Sequence, residues 1–187
     1  MLPHELQTLL NQLLAQWEGE VIEFKEANDN FSTSDIGKYF SALSNEANLR
    51  DLDSAWLVFG VNNKSRAVVG TDYGSDSQRL QLLKHQIAQG LKPSAGFKDI
   101  HELITPRGRV VLFQIPAAPR GIPIARDSIC YGRNGESLAG LSLSKLDEIR
   151  AQNSSDDWSA LICAEATLSD LDNAAMQRAR EILAAQQ

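Results

Sequence analysis

Four charged side chains, Glu18, Glu20, Glu23 and Lys25, crowd one short stretch near the start of the chain. Side chains of an extended segment alternate, so Val21, Glu23 and Lys25 share one face while Glu20, Ile22 and Phe24 share the other. Glu18 closes a helical pattern, and a tight turn at Gly19 would bring its carboxylate to that of Glu23. Two carboxylates so placed could hold a divalent cation, which activates water and neutralises charge developing on a phosphate. They could equally salt-bridge to Lys25 and to an arginine such as Arg133, as structural charge networks do.

Cations elsewhere suggest a second chemistry. Arg133 stands in the Gly-flanked stretch 132–137, and a planar guanidinium is a good phosphate ligand. Arg107, Arg109, Arg120 and Arg126 flank the proline-containing loop 116–123, and Lys64 and Arg66 fall in a turn-rich segment. Lys25, Lys64, Arg120, Arg126 and Arg133 are the candidates for touching a nucleic acid; the alternative for each is a solvated or structural cation. His4, His85 and His101 share no motif, and no nucleophile elbow or phosphate-loop signature is present, so neither a serine or cysteine hydrolase nor an ATP site is expected. No cofactor is expected, and a divalent metal (Mg or Mn) only if the carboxylates are catalytic.

The elements that must position these groups follow from periodicity. Leu6, Leu9, Leu10, Leu13 and Leu14 make an apolar stripe that predicts a helix over 4–17, followed by a strand over 20–25. Ser32, Thr33 or Ser34 caps a second helix through Ile36, Tyr39, Phe40, Leu43 and Ala47, whose polar face includes Lys38, Asn45 and Glu46. Residues 54–61 form the most apolar run, read as a central strand buried on two sides and returning through a hairpin at 67–70. A third helix is expected over 75–91, strands over 97–105 and 109–115 joined at Pro106-Arg107-Gly108, a last strand over 124–131, a loop over 132–137, and a helix over 142–151 capped by Ser142. The sum is an α/β (α+β) fold, a mixed and largely hairpin-connected sheet flanked by helices.

The 187 residues suit one such domain, 1–151, followed by a polar linker and terminal helix over 152–187. Apolar runs fall far short of the ~20 residues of a membrane span, and the N-terminus lacks a basic, apolar leader, so a cytoplasmic protein without membrane contact is expected. Cys130 and Cys163 have no metal-ligand spacing and suggest no disulfide framework. The net charge of -6 conceals an uneven distribution: 3 Lys/Arg against 10 Asp/Glu in residues 1–60, 13 against 8 in 61–152, and 2 against 6 in 153–187. The middle segment is thus locally basic, which suits phosphate binding despite an acidic total.

The order Glu18-x4-Glu23-Phe24-Lys25, Ala42-Leu43-Ser44-Asn45-Glu46, Leu57-Val58-Phe59-Gly60-Val61-Asn62-Asn63, then Gly70, Ile115-Pro116, Pro123 and Tyr131-Gly132-Arg133-Asn134-Gly135 resembles the Schlafen AlbA-like domain family over about residues 15–151. The resemblance implies that fold, and that residues 153–187 resemble the linker leading in longer members to a C-terminal region. It further implies a nucleic-acid-binding domain of a bacterial transcriptional regulator, without catalysis of its own, acting on DNA or RNA as a homodimer. In the animal branch a similar domain cleaves structured RNA with two glutamates and an aspartate. Glu18 and Glu23 match the first two, so a metal-dependent (ribo)nuclease is the second expectation. The third position falls on Asn62 or Asn63, whose amides bring no negative charge; Asp72 or Glu46 would have to supply it. A third expectation, a protein-interaction or ligand-sensing module, would be indicated by an apolar pocket near Arg133 without a continuous basic groove.

Overall fold

In the computed structural model the described residues are 1–16, 19–28, 31–135, 137–152, 167, 170 and 172–184. The chain divides into two units, Met1–Ser154 and Ser155–Gln187. The first is a mixed α/β unit, and the helix described in the second is Asn173–Ala184. No described helix is long and apolar enough to cross a membrane.

The amphipathic helix α1, Pro3–Ala15, buries Leu6, Leu10 and Leu13. After it come β1 (Ile22–Lys25), α2 (Thr33–Leu49) and β2 (Ser54–Phe59). Ser32 caps α2 by accepting from the Asp35 amide, so one of the helix's unpaired donors is satisfied by the hydroxyl the sequence supplies there. The helix α3 spans Ser77–Gly90, and the strands β4 (Asp99–Thr105) and β5 (Gly108–Pro116) form a hairpin with Thr105 opposite Gly108.

These strands make one sheet in the order β1-β2-β5-β4, with β1 and β2 parallel and the rest antiparallel. The sheet is covered on both faces. Leu57, Phe59, Val111 and Phe113 pack with Phe40, Leu43 and Ile87 on one side, whereas Phe24, Val58, Val110 and Leu112 pack with Leu6, Leu10 and Leu13 on the other. Strand β2 therefore alternates into two cores, which explains its nearly continuous apolar run.

A second sheet, β3-β6-β7-β8, is assembled from shorter pieces: β3 (Leu91–Lys92), β6 (Ala125–Arg126), β7 (Ile129–Asn134) and β8 (Ser137–Gly140). Here the expected single strand over 124–131 is broken at Asp127-Ser128, where both residues take positive φ (51° and 66°) and reverse the chain. The expected loop over 132–137 is instead the end of β7 and the start of β8. The expected return strand over 67–70 reduces to a single bridge between Val61 and Val68. The last helix of the unit, α4 (Leu143–Ala151), is capped by Ser142, and α5 is Asn173–Ala184.

Helix α2 joins the two sheets. Its apolar face packs on the first, while the second presents backbone groups to Ser41, Asn45 and Glu46, all fully buried. Ser41 Oγ donates to the Ile124 carbonyl at 2.7 Å and accepts from the Tyr131 amide. The Asn45 amide donates to the carbonyls of Ile124 and Tyr131 at 2.9 and 2.8 Å and accepts from the Ile124 N–H. The polar face of α2 thus serves as the missing hydrogen-bonding edge for β6 and β7 rather than as a solvated surface.

Candidate nucleic-acid interface

The alternation of β1 sends Ile22 and Phe24 into the core beneath α1 and Glu23 to the opposite face, opposite Leu57 in the parallel register. Glu23 is only 1% exposed. One carboxylate oxygen lies 2.7 Å from Lys25 Nζ, and the other meets Nη1 of the buried Arg133. Burial opposes the charge on Lys25, but the hydrogen bond and charge of Glu23 outweigh it and raise its pKa, with Tyr39 adding to the effect. The ammonium also sits 5.1 Å from the centre of the Tyr39 ring.

The buried Glu46 of α2 organises a neighbouring set of charges. Its carboxylate receives Arg50 Nη1 at 2.8 Å, Lys145 Nζ at 2.7 Å and the Arg133 amide at 2.8 Å. Glu20, in the turn before β1, pairs with Arg50 and with Lys145. Burial works against ionisation of Glu20, yet the Arg50 hydrogen bond, the Arg50 charge and Lys145 hold its carboxyl below the usual value. Lys145 also donates to the Arg133 carbonyl. Arg50 and Lys145 escaped the sequence reasoning because they lie 4 and 99 residues from Glu46, and only the first is a readable helical pairing.

A cavity of about 300 Å³ lies against Arg133, lined also by Glu20, Gly132, Ser142 and Lys145. Its lysine is engaged by two carboxylates and a carbonyl, and Ala139 and Leu141 complete the lining, so the wall is part ion network and part apolar. Among the described residues no group of three His, Cys, Asp or Glu side chains is placed to hold a metal ion. Glu18 lies outside the described residues. Asn62 is committed to its own turn: its carbonyl oxygen accepts from the Lys64 and Ser65 amides and from the Ser65 hydroxyl, and its amide donates to Glu26.

The five cations singled out in the sequence occupy different environments. Arg133 is buried on Glu23 and Lys25 is half-buried beside it. Arg126 is 14% exposed at its side chain, which runs past Gly37 and Gly90 so closely that a methyl group at Gly90 would stand 1.7 Å from Nη1; it also pairs with Asp127. Lys64 and Arg120 are exposed. They occupy opposite ends of the first sheet, since Lys64 follows β2 whereas Arg120 follows β5, and Ser54 at the start of β2 faces Pro116 at the end of β5. The nine residues of β5 correspond to roughly 30 Å. Arg109 does not add to a free surface, because it binds Glu102 and the carbonyls of Tyr73 and Gly74. The exposed cation that joins Lys64 is Arg107, in the turn between β4 and β5.

Of the two thiols, Cys130 is half-buried, and burial raises its pKa. Cys163 lies outside the described residues.

Residues 18–142 match the model of the family described as Schlafen, AlbA_2. The chain is similar in fold to the crystal structure of the DIP2311 protein from Corynebacterium diphtheriae, with a TM-score of 0.56 and 20% identity over 95% of this chain and 34% of that one. The chain therefore spans about a third of that protein's length. The solution structure of the N-terminal domain of a RecG-related protein from Nitrosomonas europaea matches with a TM-score of 0.48 and 19% identity over 73% of this chain and 90% of that one. No curated protein matches.

Proposed function

Because the chain belongs to the Schlafen AlbA_2 family, we propose that it is a nucleic-acid-binding domain, without catalysis of its own, of a cytoplasmic bacterial transcriptional regulator that acts as a homodimer. The observation that carries the binding part is the pair of exposed cations, Lys64 and Arg107, at the end of the sheet where β2 finishes and β5 begins. Among the described residues, neither is drawn into ion pairs such as those that occupy Lys25, Arg109, Arg126 and Arg133. A cation held on the surface by short turns can replace counterions along a phosphate backbone, whereas one buried on a carboxylate is already neutralised.

The nuclease reading asks Glu23 to serve a metal while both its oxygens face cations. It has less support here than the binding reading.

Binding of a labelled duplex to the full chain should weaken steeply with salt, and replacing both Lys64 and Arg107 with Gln should make the log–log slope shallower by about 1.8, from about 0.9 for each duplex phosphate contact. Fluorescence anisotropy from low to physiological ionic strength measures this. Absence of association with duplex DNA and hairpin RNA at low ionic strength would overturn the proposal.

A further inference from the structure

Lys64 and Arg107 belong to two different turns that the backbone joins into one body. A methyl group at Gly70 would lie 3.2 Å from Gly108 Cα, and one at Gly108 would lie 2.7 Å from Gly70 Cα. A methyl at Gly60 would approach the Arg109 carbonyl to 2.6 Å, and that carbonyl accepts from the Thr71 amide at 2.9 Å. All three glycines take positive φ (90°, 81° and 129°), so both the conformation and the close approach require them. The connection after β2 and the β4–β5 turn are therefore fixed against each other.

Two large aliphatic side chains lie beside this junction and face water: Val69, next to Gly70, is 50% exposed, and Ile104, opposite Arg109 in the hairpin, is 75% exposed. A purely phosphate-binding surface has no use for them. Of the acidic groups nearby, Glu102 is held by Arg109 at 2.6 Å, Glu26 is exposed and accepts from the Asn62 amide in the turn that carries Lys64, and Asp72 is exposed close in sequence.

Resting on the proposed binding of nucleic acid, we infer that this tip enters a groove of duplex DNA, with Val69 and Ile104 against base edges or a base step and Lys64 and Arg107 on the flanking phosphates. Apolar side chains between cations are the means by which proteins press into a groove and unstack it. Duplex DNA is the better match because its grooves offer apolar base edges and thymine methyl groups, whereas the accessible groove of duplex RNA is lined with hydroxyls.

The experiment uses the full chain, a DNA duplex with 2-aminopurine at its centre, and an RNA duplex of the same sequence. The wild type should bind the DNA more tightly than the RNA and change the 2-aminopurine fluorescence. Replacing both Val69 and Ile104 with Ser should weaken DNA binding roughly tenfold, the loss expected from partial burial of two aliphatic groups, without altering the salt slope. Equal DNA affinity of this variant and the wild type would overturn the inference and leave the binding proposal standing, as would equal wild-type affinity for the two duplexes. Failure of the wild type to bind either duplex at low ionic strength would remove both. Circular dichroism of the variant, expected to match the wild type, separates lost contact from lost fold.

Discussion

Around the buried Glu46 carboxylate, Arg50, Lys145 and the Arg133 amide converge at 2.7–2.8 Å, whereas at the tip Lys64 and Arg107 stand in water on short turns. Lys145 and Arg50 draw a buried carboxylate into the join between α2, α4 and the second sheet, so the desolvation of Glu46 is offset by its partners. The tip has no such compensation to lose and can exchange water and counterions for a ligand. The same residue types thus serve cohesion in one region and recognition in the other, and what separates them is partnership and burial rather than the number of charges.

If the junction is cohesive, breaking it should produce the largest effect. Replacing Glu46 with Ala strips a carboxylate from Arg50, Lys145 and the buried Arg133 amide, and should cost roughly 3 kcal/mol in urea denaturation, because the amide loses its acceptor while Arg50 is exposed, Lys145 half-buried and both keep Glu20. A loss below about 1 kcal/mol, the scale of exposed pairs, would show that this region is electrostatically no different from the surface. Next in size is Asn45→Ala, which takes the side-chain partner from the Ile124 amide and the Tyr131 carbonyl, while the Ile124 carbonyl keeps Ser41, and should cost roughly 2–3 kcal/mol. The Lys64 and Arg107 substitutions should change stability by less than about 0.5 kcal/mol while altering the salt slope of binding.

The two regions also differ in how far the sequence reveals them. The first sheet follows from local signals: Ser32 and Ser142 cap their helices, Pro106-Arg107 turns one hairpin, and the apolar run at 54–59 is the strand buried on both sides. The second sheet does not. Two of its strands are two residues long, and the turn at Asp127-Ser128 uses positive φ without a glycine, so its geometry comes from tertiary contact. The polar face of α2 was legible as polar, but periodicity cannot distinguish water from the buried backbone of β6 and β7. The pairing of Glu23 with Lys25 could be anticipated from alternation, and Arg133 could be named as a partner. The link from Lys145 to Glu46 spans 99 residues and has no local signature. The contact of Gly70 with Gly108 spans 38 residues and likewise has no local signature, and it fixes the connection after β2 against the β4–β5 turn.

The smallest effect concerns pH and tests whether Glu20 belongs with the junction. Its carboxyl is held below the ordinary 4.5 because Arg50 and Lys145 outweigh the burial that opposes its charge. A carboxylate with a depressed folded-state pKa stabilises the protein fully above its unfolded value, and that contribution disappears as pH falls through the folded value. The difference in unfolding free energy between the wild type and Glu20→Gln should therefore be constant near neutrality and shrink as the solution is acidified from about pH 4.5 downwards. Urea midpoints for both proteins at several pH values give the comparison. A difference that stays constant through the acid range would mean that Glu20 contributes by packing alone, and the ionic junction would then be confined to Glu46 and Glu23.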